Sequence, residues 1–138
     1  MANQPTLDAS ALLALLQNER GAEVVEDAIA DGATISTVNL AEALSTMARK
    51  GADPATALAT MTERGVIGGA ITVEPFTLAD AVEAARLRPL TAKAGLSLGD
   101  RSCLALARRL GTPALTADQP WRGIDLPVEV RSIREHKP

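Results

Sequence analysis

A chain of 138 residues, 46% of them hydrophobic, has material for one core and not for two. Phe76 and Trp121 are its only aromatic residues and Cys103 its only cysteine, which excludes a base-stacking platform for single strands, an internal disulfide and a cysteine-built zinc site. The net charge of −3 is unevenly spread: residues 1–65 hold four Lys/Arg against nine Asp/Glu, and residues 66–138 hold ten against eight, so the second half is basic enough to meet phosphates.

Along the chain, Pro5-Thr6-Leu7 offers a first strand, and a poor one, because proline donates nothing to a ladder. Asp8 is placed to cap a helix over residues 9–17, and a second helix over 22–30 stops at Gly32. Residues 33–36 read as a strand, 38–49 as a helix closed by Gly51, and Pro54 opens another helix. Residues 70–73 form a third strand. A long helix over 78–94 follows, which Pro89 should kink or divide. Gly99 precedes a helix over 100–110, and strands at 113–116 and 128–131 complete the chain. Helices alternating with short apolar strands predict an α/β fold: one domain over 1–138, with a parallel sheet covered on both faces. Cys103, within Ser102-Cys103-Leu104-Ala105-Leu106, reads as a small buried hydrophobe. His136, the only histidine, argues against a histidine triad or dyad. No apolar run approaches the ~20 residues of a membrane span, and the polar N-terminus carries no secretory signal, so a cytoplasmic protein is expected.

In such a sheet, ligands bind at the carboxyl edge of the strands. Asp8 follows the first strand, Glu42 lies early in the helix after the second, Asp100 opens the helix leading into the fourth, and Asp118 follows the fourth. Each has an ordinary alternative: Asp8 and Asp100 as helix caps, Asp118 as a turn residue, and Glu42 in a capping box with Asn39. Their convergence outweighs those alternatives, because clustered carboxylates without basic partners repel one another. A hard divalent cation, Mg²⁺ or Mn²⁺, is the usual reason to keep them, and an acidic metal site without histidine is suited to phosphate chemistry.

Four blocks of this sequence resemble the PIN-domain nucleases, above all the VapC toxins, and occur in that family's order. They are Leu7-Asp8-Ala9-Ser10-Ala11-Leu12-Leu13-Ala14-Leu15-Leu16, Ser36-Thr37-Val38-Asn39-Leu40-Ala41-Glu42, Leu96 to Ala107 around Asp100, and Leu115-Thr116-Ala117-Asp118. The resemblance implies a PIN-like three-layer α/β/α fold with about five short parallel strands, and one or two Mg²⁺ or Mn²⁺ ions. It further implies endonucleolytic RNA cleavage by metal-activated water, a cognate antitoxin and a homodimer. Asp8, Glu42, Asp100 and Asp118 match the family's acidic quartet, and Ser10 and Thr116 its supporting hydroxyls. Arg101 and Arg122 flank the site in sequence and are candidates to hold RNA, whereas Arg108 and Arg109 read as a solvated face. Trp121 reads as an apolar anchor rather than a base platform. The apolar face of the helix begun by Pro54, around Ala55, Leu58, Ala59 and Met61, offers either a dimer face or core.

Other classes fit less well. A phosphoacceptor receiver needs an Asp after a middle strand, which Ser36-Thr37-Val38 and Thr72-Val73-Glu74 do not supply. A haloacid-dehalogenase-type phosphatase needs a second Asp where Ser10 stands. The alternative from another class is a non-catalytic module that binds RNA or a partner.

Overall fold

A computed structural model describes residues 4–118, 121 and 123–134. Gln119, Pro120, Arg122 and His136, and any role expected of them, lie outside the described residues. Five parallel strands are ordered β3-β2-β1-β4-β5 and flanked by helices. The strands are β1 (Thr6–Leu7), β2 (Ala33–Ser36), β3 (Ile71–Glu74), β4 (Ala114–Thr116) and β5 (Val130–Ser132). The helices are α1 (Ala9–Leu16), α2 (Ala22–Ala28), α3 (Thr37–Arg49), α4 (Pro54–Glu63), α5 (Leu78–Thr91) and α6 (Leu98–Leu110).

The short first strand is central, paired with β2 on one side and β4 on the other. Pro5 does not weaken it, since only its carbonyl is used, accepting from the Thr34 amide at 2.9 Å. The Thr6 hydroxyl adds side-chain bonds to both neighbours, 2.8 Å from the hydroxyls of Thr34 and Thr112. A strand of two residues suffices because both are fully buried and held from both sides.

The helix boundaries follow local chemistry. Asp8 caps α1, as the sequence predicts. Helix α3 starts one residue earlier than expected, with the Ser36 hydroxyl accepting from the Val38 amide at 3.1 Å, so Asn39 lies inside the helix and is not its cap. Pro89 sits inside α5 near its end and does not divide it. Helix α6 begins at Leu98 and is capped by Ser97, which puts Asp100 in its first turn rather than at its start. Gly111 ends α6 at a positive φ of 69°, where other residues are strained.

One core cluster joins the sheet to α1–α4 through Leu7, Leu12, Val25, Ile35, Met61 and Ile71. A second joins α5 and α6 to β4 through Leu87, Leu96, Cys103, Leu104, Ala114 and Trp121. Trp121 is thus the anchor that its apolar surroundings predict, and Met61 is core rather than dimer face. Arg108 and Arg109 lie on an exposed face, as expected, but Arg109 also has a partner. Its guanidinium grips the buried Asp80 through two bonds of 2.8 and 3.1 Å and ties α6 to α5. Burial alone would raise the Asp80 pKa, but Arg109 and the Thr77 cap hold it below the usual carboxylate value. No helix among the described residues is long and apolar enough to cross a membrane.

Candidate active site

Each acid reaches the carboxyl edge of the sheet for a local reason. Asp8 leaves β1 directly into the cap of α1, and Asp118 comes two residues after the end of β4. Asp100 stands at the third position of α6, where its Oδ2 accepts from the Ser97 amide at 2.8 Å in a reciprocal capping box. Carboxylate oxygens of Asp8, Asp100 and Asp118 lie within 4.8 Å of one another. Glu42 lies outside that triad but lines the same cleft, about 320 Å³ in volume, with Ser10, Ser97 and Thr46.

Asp8 is the best fixed of the four. Its Oδ1 accepts from the Ser10 hydroxyl at 2.7 Å and the Ala11 amide at 2.9 Å, and its Oδ2 from the Thr116 hydroxyl at 2.5 Å. The same two hydroxyls accept from the next strand turn: Ser10 from the Ala117 amide and Thr116 from the Asp118 amide, both at 2.9 Å. Ser10 and Thr116 therefore couple Asp8 to the segment that carries Asp118.

These carboxyls are electrostatically uncomfortable. Burial raises the Asp8 pKa to about 7, although its three hydrogen bonds oppose the rise, and Asp118 adds to it. Glu42 is also raised, first by burial and then by Asp100 and Asp118, against the bond from Asn39. Burial and Asp100 raise Asp118, with Arg134 acting in the opposite direction. Among the described residues, no Lys or Arg forms an ion pair with any of the four acids.

Arg101 does not join the site. It is buried, and its Nη1 donates to the Ala84 carbonyl at 2.9 Å, on the side of α6 that faces α5. Two residues, Ser97 and Arg134, escaped the sequence reading, and a third, Asn39, has a different role from the one expected of it. Ser97 could have been found, since it stands three residues before Asp100 in the pattern of a capping box. Arg134, whose charge lowers the Asp118 pKa, is brought near only by the fold. Asn39, expected to pair with Glu42 in a capping box, does bond Glu42, but from inside α3, and only the fold adds its second bond, to Gly99. An apolar groove of about 780 Å³ lies elsewhere, lined by residues such as Leu15, Ile29, Met47 and Met61. It holds none of the clustered acids.

The same architecture occurs in solved toxin–antitoxin proteins. A toxin–antitoxin complex from Klebsiella pneumoniae superposes with a TM-score of 0.70 at 19% identity, over 96% of this chain and 100% of that one. DNA-bound VapBC from Salmonella typhimurium gives 0.70 at 16% identity, over 95% and 98%. Mycobacterium tuberculosis VapC20, a sarcin–ricin loop cleaving toxin, gives 0.68 at 20% identity, over 93% and 99%. No curated protein matches the sequence. The PIN domain signature matches residues 6–125, nearly the whole described chain, and the chain belongs to the PIN-domain family.

Proposed function

We propose that this protein is a divalent-metal-dependent endoribonuclease and the toxin of a toxin–antitoxin pair. The observation that carries the reading is the triad of Asp8, Asp100 and Asp118, with oxygens within 4.8 Å of one another and no cationic side chain paired to them among the described residues. A buried carboxyl raised to about 7 is unfavourable in an empty site and well suited to one holding a cation. The donor set fits Mg²⁺ or Mn²⁺, since it offers only oxygen.

Asp8, Asp100 and Asp118 would hold the ion or ions, with Glu42 at the side of the cleft. A bound ion would supply Lewis acidity toward the phosphodiester and a water of lowered pKa. The protein's own part is positioning. Ser10, Thr116 and the Ala11 amide fix both oxygens of Asp8, so this ligand needs little rearrangement on binding. Glu42, half-buried at the mouth and raised in pKa, is the group able to exchange a proton with a water in the cleft. Arg134 lowers the Asp118 pKa from a distance, but its guanidinium is held by Glu19 and the Arg20 carbonyl. Arg122 remains the proposed contact for the substrate backbone.

RNA as substrate, the antitoxin and the homodimer are parts of the same proposal. A toxin that cleaves the sarcin–ricin loop and two toxin–antitoxin complexes share this fold, which supports the RNA substrate and the antitoxin. The antitoxin is expected to cover the cleft and offer an Arg to the acids as a surrogate for the metal's charge. For the homodimer, large exposed apolar side chains lie on α5 at Leu78, Val82 and Leu90, on α6 at Leu98 and Leu110, and on α2 at Val24, while Ala55 and Ala59 of α4 are exposed but small.

The test is cleavage of a mixed RNA pool with Mg²⁺, Mn²⁺ or EDTA. Metal-dependent cutting is expected. Asp8→Asn, Asp100→Asn and Asp118→Asn should each lose at least about 100-fold in rate, and Glu42→Gln somewhat less. Binding without cleavage under all conditions would favour the non-catalytic alternative.

A further inference from the structure

Asn39 is fully buried in the first turn of α3 and spends both amide hydrogens on the site. Its Nδ2 donates to Glu42 Oε1 at 3.1 Å and to the Gly99 carbonyl at 2.9 Å, joining α3 to the segment that carries Asp100. Its Oδ1 has no partner among the described residues, although it is buried. An unpaired buried carbonyl is destabilising, so packing and stability alone would favour a leucine at this position. The second observation comes from the other side. A Cβ added at Gly99 would collide with the carboxylate of Glu42, so that carboxylate lies directly against the α6 backbone.

We infer that Asn39 is a positioning residue: with Gly99 it clamps Glu42 against the start of α6 and so sets the place of the fourth carboxylate beside the triad. The inference rests on the metal-nuclease reading. Glu42 is otherwise a long side chain at the mouth of a cleft, next to two carboxylates that repel it. Without the clamp it would turn toward solvent, away from Asp100 and Asp118. The clamp holds it in the metal's neighbourhood before any metal arrives. The bare space over Gly99 leaves room for it.

The experiment is Mn²⁺ binding, followed by electron paramagnetic resonance and by melting curves with and without the metal. It compares wild type, Asn39→Leu, Gly99→Ala, Glu42→Gln and the two double variants with Glu42→Gln. Asn39→Leu and Gly99→Ala should each weaken Mn²⁺ binding by about tenfold, the size expected for a group that orients a ligand. On the Glu42→Gln background neither should weaken it further by more than about twofold, because the group they position is already lost. Gly99→Ala should also melt no lower than wild type in EDTA, since alanine favours a helix over glycine. A purely structural role would lower melting temperature and leave Mn²⁺ affinity alone.

Affinity within about twofold of wild type in both single variants overturns the inference, as do effects that multiply fully with Glu42→Gln. If Asn39→Leu fails to fold, Gly99→Ala decides alone. A wild-type protein that takes up no Mn²⁺ overturns the metal reading itself, and the inference with it.

Discussion

Thr116 is the residue whose hydroxyl does two jobs at once, donating to Asp8 at 2.5 Å and accepting from the Asp118 amide at 2.9 Å. Thr116→Val keeps the shape and removes both. The Asp8 carboxyl, already raised to about 7 by burial, then loses a bond that was holding it down, so its pKa rises further. A proton competes with the metal for that carboxylate. The rising limb of the pH–rate profile at saturating Mn²⁺ should therefore move toward higher pH by up to about one unit, with most activity recovered by pH 8.5. A loss that is equal at every pH would show that the hydroxyl serves Asp118 and not Asp8. Ser10 and Thr116 are legible only through the resemblance to the family, and although each stands two residues from an acid, the Thr116 bond to Asp8 spans 108 residues and needs the fold. The place of Arg101 is not legible, although it adjoins Asp100. Neighbours on a helix point about 100° apart, and this rotation carries Arg101 from the cleft to the Ala84 carbonyl of α5. Asn39 was misread because Ser36 caps α3, and the partner that gives Asn39 its role is 60 residues away.

At the scale of elements, the pairing of α5 with α6 decides whether Asp100 is presented correctly, because α6 carries that acid in its first turn. The sequence suggested both helices but not what joins them. An Arg late in an amphipathic helix looks solvated until the fold brings a buried acid beneath it. Arg109 and Arg108 test the difference. Arg109→Met leaves Asp80, which is 1% exposed, buried without its cation, and should destabilise the protein by roughly 3 kcal/mol. Arg108 pairs with Glu83 from a side chain that is half exposed, and Arg108→Met should stay within about 0.5 kcal/mol of wild type. Chemical denaturation at pH 7 measures both. Equal losses would mean that the Arg109 pair is no better shielded than a surface one. The strands were easier to read than their ends. Ala33–Ser36 was expected at its observed limits, because alternation and Gly32 mark it. The last strand lies at Val130–Ser132 rather than 128–131, since register against β4 and not residue preference sets it.

For the whole molecule, the acidic cluster is a source of instability that its ligand should relieve. Asp8, Glu42 and Asp118 all have folded-state pKa values above those of free carboxyls, with burial as the first cause in each. Between about pH 4 and 7 the metal-free folded protein therefore binds more protons than the unfolded chain. The stability from these groups is complete below the unfolded pKa and is lost as pH rises through the folded values. In EDTA, the melting temperature should fall as pH climbs from 4.5 to 7 and then level off. Asp80, whose pKa is lowered, works in the opposite sense but loses its charge only below this window. With millimolar Mg²⁺ the trend should reverse, because the ion binds the ionised cluster and stabilises the fold by mass action. Asp118→Asn is the cleanest variant, since Asp118 caps no helix while Asp8 and Asp100 each accept a capping bond. Removing its charge relieves repulsion with Asp100, so in EDTA at pH 7 it should melt at or above wild type. It should gain much less than wild type from Mg²⁺. Four melting curves decide the matter, two proteins each with EDTA and with Mg²⁺. A variant that melts well below wild type in EDTA would mean that Asp118 is there to hold the turn after β4, and the triad would lose its third member.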